Sequence, residues 1–291
     1  MSRASRVAVV ILAAAATPST QERPLPDLEP FLKEVRARLE TDASRQFGYS
    51  YLETRRRTSI DGKGRRRDEA VTVLESYPGL PGEDERWERV IERDGKRVPE
   101  VELRKADDNR RKKAERVART LVAQTPAEKA RGERERSADR RERAVMVDDV
   151  FVVYDVGMLG RERIEGHDTI AFSLRPRPAS KPRTREGRML KLFRASAWIS
   201  ESDFELARLD VEAIDTVSLG LGLLARVHKG TTASFSRRKV NGEAWLPARA
   251  EYEVSARVLL LKRFREGGLY EFSNYRKFTV DTAAEIAPVG R

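Results

Sequence analysis

The stretch VNGEAWLPARAEYEVSARVLLLKRF, residues 240–264, decides the fold class. Asn241-Gly242 stands between two strand-like runs, Thr231 to Val240 and Trp245 to Leu261. Asn-Gly readily takes the left-handed conformation that a tight hairpin turn demands. Connectors of the same kind recur at Glu165-Gly166, Glu201-Ser202-Asp203 and Gly267-Gly268. Between them lie further runs rich in β-branched and aromatic residues: Val150 to Asp155, Thr169 to Leu174, Leu192 to Ser200, Leu206 to Ile214 and Gly268 to Val280. Such short connectors leave no room for crossover helices, so neighbouring strands are predicted to be antiparallel.

Upstream, Phe31, Val35 and Leu39 recur every four residues behind Pro24, Pro26 and Pro30, predicting an amphipathic helix. Phe47, Tyr49 and Tyr51 then alternate, Asp61-Gly62-Lys63-Gly64 signals a hairpin, and Arg65 to Tyr77 returns as a strand carrying Val71 and Val73. Trp87 to Arg93 is a third strand, ended by Asp94-Gly95. Ala114, Val117, Ala118, Leu121 and Val122 form one apolar helical stripe, which Pro126 ends or kinks. The run ERERSADRRER beyond it is a solvated helix or a mobile segment, and VSLGLGLLA, Val217 to Ala225, reads as a hairpin lip, short helix or flap. The expected architecture is mainly β with helices (α+β): a curled antiparallel sheet of about ten strands, an unclosed half-barrel with helices covering the concave side.

Charge is concentrated. Among 291 residues, 58 Lys and Arg face 47 Asp and Glu, a balance of +11. Residues 104–143 contribute +7 and residues 175–194 another +7, so the remainder is mildly acidic. The first segment belongs to a charged helical insertion at about 98–143. The second, with Pro176, Pro178 and Pro182, reads as a long, extended, mobile basic loop. At the N-terminus, Arg3 and Arg6 precede the apolar run VAVVILAAAA and an Ala14-x-Ala16 exit, a secretory signal peptide over residues 1–16. Ten apolar residues span only about 15 Å as helix, half a bilayer core. Residues 17–291 are therefore expected to form a single exported, periplasmic domain, soluble after cleavage.

Zero cysteines exclude disulfides, thiolate metal sites, cysteine nucleophiles and a lipoprotein signal. His167 and His228 both sit at glycine turns, and no G-x-S-x-G, H-E-x-x-H or phosphate loop occurs. Asp107-Asp108 and Asp148-Asp149 are adjacent carboxylates in charged or loop-edge surroundings, which does not make an acid/base pair. No enzyme, no cofactor and no metal is expected.

Three stretches together carry a resemblance: IEGHDTIAFSLRPRP (164–178), RASAWISESDFELARLDVEA (194–213), and the opening stretch followed by YEFSNYRKF (270–278). Their order resembles the outer-membrane lipoprotein-sorting (LolA/LolB-like) superfamily, which includes RseB/MucB-like envelope regulators. The resemblance covers roughly residues 30–280. It implies an unclosed antiparallel half-barrel whose concave side is plugged by helices and whose cavity takes acyl chains. The charged insertion and the basic loop depart from that pattern, and none of the many arginines matches the carriers' lid-locking arginine.

The leading expectation is a non-catalytic periplasmic protein that binds the acyl chains of a lipid or lipoprotein in an apolar cavity. Phe47, Tyr49, Tyr51, Val71, Val73, Trp87, Trp198, Trp245, Tyr270 and Phe272 are its candidate lining. Each methylene removed from water contributes about 0.8 kcal/mol, so such a site needs few polar groups. Arg110, Arg111, Lys112, Lys113, Lys181, Arg183, Arg185 and Arg188 are candidate contacts to an anionic membrane surface or an envelope protein partner. The alternative is a regulatory or sensor module that binds a protein partner. A polyanion binder is disfavoured, nucleic acid included, because residues 104–143 contain no aromatic side chain for stacking.

Overall fold

The computed structural model describes residues 23–61, 63–80, 85–219, 225–258 and 262–277. The proposed leader and the middle of Val217–Ala225 lie outside them. The chain runs α1 (Leu28–Gln46), β1 (Tyr49–Ile60), β2 (Arg66–Tyr77), β3 (Trp87–Arg93), β4 (Lys96–Arg97), α2 (Glu100–Ala123), α3 (Pro126–Val153), β5 (Tyr154–Ile164) and β6 (His167–Pro176). It continues through α4 (Arg185–Leu190), β7 (Phe193–Ser200), β8 (Leu206–Ala213), β9 (Val217–Leu219), β10 (Ala225–Val227), β11 (Thr232–Val240), β12 (Ala244–Val258) and β13 (Lys262–Lys277).

One antiparallel sheet takes the order β4-β3-β2-β1-β13-β12-β11-β8-β7-β6-β5, with the β9–β10 hairpin attached beside β12. Its outer strands, β4 and β5, stand at opposite ends of that order, so the sheet is not closed into a barrel. The eleven strands of the path agree with the expected unclosed sheet of about ten. Turn chemistry sets the hairpins. Asp94-Gly95 and Glu165-Gly166 place both residues at positive φ, 50° and 76° in the first turn and 50° and 81° in the second. The Asp61 carboxylate accepts the backbone N–H groups of Lys63 and Arg65, both at 2.9 Å. These bonds, led by that from Arg65, hold its carboxyl below the usual range.

Strand register separates the two faces. Met158, Phe172, Ala197, Leu209, Phe235, Ala250, Tyr270 and Arg55 are successive cross-strand partners and share one face. On this apolar face α1 lies across β6–β8. Phe31 and Val35 bury against Ile170, Phe172, Ala197 and Ile199, with Phe31 also against Phe204. Phe31 and Phe172 meet at 5.7 Å between ring centres. The four-residue spacing of Phe31 and Val35 stacks them on one side of the helix, which is why α1 docks here.

Three local expectations are corrected. Of Val150 to Asp155 only Tyr154 and Asp155 are strand, the start of β5: α3 continues to Val153, because Asp149 and Val153 are spaced one helical turn apart and both are buried. Gly267-Gly268 is not a connector: both lie inside β13, where the Tyr252 ring covers the space a Gly268 side chain would fill. Residues 175–194 are not an extended mobile loop. They complete β6, form α4, and are tied down through Asp149, which accepts from the Arg183 N–H at 2.8 Å, the Thr184 N–H at 2.7 Å and the Thr184 hydroxyl at 2.6 Å. The charged run after Pro126 is helical, opened by a reciprocal capping box between Thr125 and Glu128.

Candidate functional site

The face opposite α1 is polar. Ser173, Ser196, Asp210, Ser234 and Glu251 are successive partners across β6, β7, β8, β11 and β12, so their side chains project to this side together. With Arg175, Arg194, Arg208, Glu212, Thr232 and Glu253 they line a trough of about 640 Å³. Its acids and bases are matched. Arg194 bonds its direct partner Glu212 at 2.6 Å, Arg208 bonds Asp210 at 2.7 Å, and Arg66 reaches from β2 to Glu253 on β12 at 2.8 Å. Those last two strands are three positions apart, roughly 14 Å in a flat sheet, a gap that the extended Arg66 and Glu253 side chains span together. Gly267, between them on the same face, offers no side chain to obstruct Arg66.

The ten candidate lining residues do not share one face. Tyr51, Tyr270 and Phe272 lie on the α1 face. There Tyr51 meets Phe272 at 5.6 Å and Tyr275 at 5.3 Å, and Tyr270 meets Tyr252 at 6.2 Å between ring centres. Tyr49 is buried with Leu246 and Ala244. Arg86 joins this group. Its guanidinium stacks on Tyr51 at 4.6 Å and Phe47 at 5.8 Å, and donates to Ser76 Oγ at 2.8 Å and to the Tyr49 carbonyl. Burial pushes the Arg86 pKa down. Trp245 is fully buried beside His167, its indole N–H donating to Asp203 at 2.8 Å. Burial opposes ionisation of Asp203, but the bonds from Trp245 and Lys239 outweigh it and hold the carboxyl low.

Val71, Val73 and Trp198 project to the trough side. Their cross-strand partners there are Arg56, Thr54 and Arg208, and Arg208 also stacks over the Trp198 ring at 5.0 Å. Trp87 packs on Tyr77 at 5.2 Å and carries Arg110 on its other contact at 4.5 Å.

Of the candidate surface cations, Arg110 is engaged by Trp87 and donates to the Pro78 carbonyl at 2.8 Å. Arg111 pairs with Asp108 and Arg183 with Asp148, each at 2.6 Å. Lys112, Lys113, Lys181, Arg185 and Arg188 are exposed. The trough's own polar residues were not singled out in the sequence. The available signal was the regular return of Ser, Asp and Glu at alternate strand positions, the same pattern an ordinary wet sheet face would give. Among the described residues no cluster of three or more His, Cys, Asp or Glu could hold a metal ion, and no helix is long and apolar enough to cross a membrane.

No protein-family model matches the chain, and no curated protein matches it. Among solved structures, the chain is similar to a domain from Vibrio parahaemolyticus described as an outer membrane lipoprotein-sorting protein, at 11% identity and a TM-score of 0.33, covering 89% of this chain and 95% of that one. A LolA superfamily protein from Nitrosomonas europaea follows at 10% identity and TM-score 0.28, covering 85% and 94%. MucB in its complex with MucA(peri) gives 10% identity and TM-score 0.23, covering 89% and 96%.

Proposed function

We propose that this chain is a non-catalytic binding protein of the cell envelope that holds a polypeptide ligand, from a lipoprotein or a regulatory partner, along the polar trough. The observation that carries the reading is the lining itself. Most side chains that register places on the trough face of β6, β7, β8, β11 and β12 are hydroxyls and charges, with Trp198 the large apolar exception, covered by Arg208. An acyl chain laid there would gain little, because its roughly 0.8 kcal/mol per methylene needs apolar surface on the other side. An extended polypeptide can instead exchange hydrogen bonds with Ser173, Ser196, Ser234 and Thr232 and meet the ion pairs with its own charges. The leader-like N-terminus supports an envelope location.

A second reading rests on the opposite face. Tyr51, Tyr252, Tyr270 and Phe272 are only half-buried there, and an acyl chain would lodge against them. Native mass spectrometry of the protein purified from its own envelope, with lipid extraction of the same sample, separates the two. A co-purifying polypeptide that Ser234→Trp displaces and Phe272→Ala does not is the expected result. A reproducible lipid with the opposite variant sensitivity would overturn the trough reading.

A further inference from the structure

The helical insertion contributes a second surface, independent of whatever occupies the trough. α2 has no buried residue along its 24 positions, and Val122 is 87% exposed. Where α2 approaches the Thr125 turn and α3 leaves it, the two helices enclose a groove of about 590 Å³. Val117 and Leu121 supply its apolar lining, and Lys113, Arg116, Lys129 and Arg136 its cations. Glu128, the groove's acid, accepts from the Thr125 N–H at 2.8 Å and hydroxyl at 2.9 Å, bonds that keep it ionised but turn it to the capping box. The groove therefore presents apolar contact beside a rim whose cations outnumber its one acid.

We infer that this groove docks an acidic amphipathic helix of a partner protein. Its form, a gap between two helices with apolar residues one turn apart, suits a third helix that inserts Leu or Met side chains spaced three and four apart. Flanking Glu or Asp on that helix would meet Arg116 and Lys129, since Arg136 is held by Glu133 at 2.8 Å. A lipid surface fits less well. Interfacial helices carry Trp, Phe and Leu on one face, whereas between Pro126 and Arg143 the apolar side chains of α3 beyond proline are only alanines. A second copy of this chain would bring another +7 segment against the first, and like charge opposes that.

The test uses the full mature chain and a labelled 18-residue probe peptide with Leu at helical spacing and Glu on both flanks, followed by fluorescence anisotropy. The expected result is saturable binding that weakens at least tenfold in Arg116→Glu/Lys129→Glu and also in Leu121→Asp. All three positions lie on the solvent-facing arm, and unchanged circular dichroism confirms that the variants fold. A peptide with Ala replacing Leu should bind at least tenfold more weakly than the probe. Absence of saturable binding, binding indifferent to Leu121→Asp, or preference for phosphatidylglycerol vesicles over the peptide would each overturn the inference.

Discussion

Asp149 shows how one side chain joins two parts of the chain far apart in sequence. It is fully buried at the end of α3 and accepts three hydrogen bonds from Arg183 and Thr184. Burial works against its ionised form, yet the donors, the Thr184 hydroxyl first, outweigh that and hold the carboxyl below its ordinary value. A pKa lowered on folding stabilises the protein above the unfolded value, near 3.9, and that stability is lost as pH falls through the folded one. Asp149→Ala should cost about 2–4 kcal/mol, because it leaves two backbone N–H groups buried without an acceptor. Thermal unfolding followed from pH 7 to pH 3 should show the wild-type advantage over Asp149→Ala shrinking below about pH 4. A gap that stays constant to pH 3 would refute the assignment. Gly187→Ala should be harmful for a steric reason, since any Cβ there runs into the Asp149 carboxylate. None of this was legible in the sequence, where Asp148-Asp149 is merely an adjacent acidic pair. The partners stand 34 and 35 residues away, and no local pattern links them.

Elements were legible where chemistry is local. Trp87 to Arg93, the hairpins at Asp94-Gly95 and Glu165-Gly166, and the Phe31-Val35 helix follow from turn residues and periodicity. Reading failed where a residue's role depends on what packs over it. Gly267-Gly268 looks like a turn until Tyr252, directly opposite Gly268, is seen covering it. The Tyr252 hydroxyl donates to Glu266 at 3.0 Å, which fixes the ring. Gly268→Ala should therefore cost about 1–3 kcal/mol by overpacking. The same change in a Tyr252→Ala background should cost much less, a non-additivity that a double-mutant cycle measured by denaturant unfolding would detect.

The arm obeys different physics. With no core beneath its first turns, α3 depends on its own cap. Thr125→Ala should leave the global melting temperature nearly unchanged while loosening the helix start by about 1 kcal/mol. Amide exchange at the first turns of α3 should then quicken about fivefold.

At the scale of the whole molecule, the joint between β1 and β13 decides whether there is one sheet or two pieces. Residues 49–59 pair with residues 266–277, so the sheet is joined near its middle by strands from the two ends of the described chain. No periodicity in either strand announces that pairing, which is why the sequence yields the strands and their antiparallel sense but not their order. The charge pattern has the same limit: it locates the two basic segments, while the meeting of α3 with α4 through Asp149 appears only in three dimensions. The joint also governs stability. Without β13, both β1 and β12 become open edges, and β1–β4 lose their connection to the part of the sheet that α1 covers. Unpaired edges invite association, and contacts between distant parts of the chain form only once most of it is present. A fragment of residues 23–258 should consequently fail to give a sharp cooperative melt and should elute as aggregate in size-exclusion chromatography. Adding residues 259–277 back in the same chain should restore a single transition. A monomeric, cooperatively folded 23–258 fragment would show instead that the β5–β8 half, with α1, is a self-sufficient core and the β1–β13 joint an accessory to it.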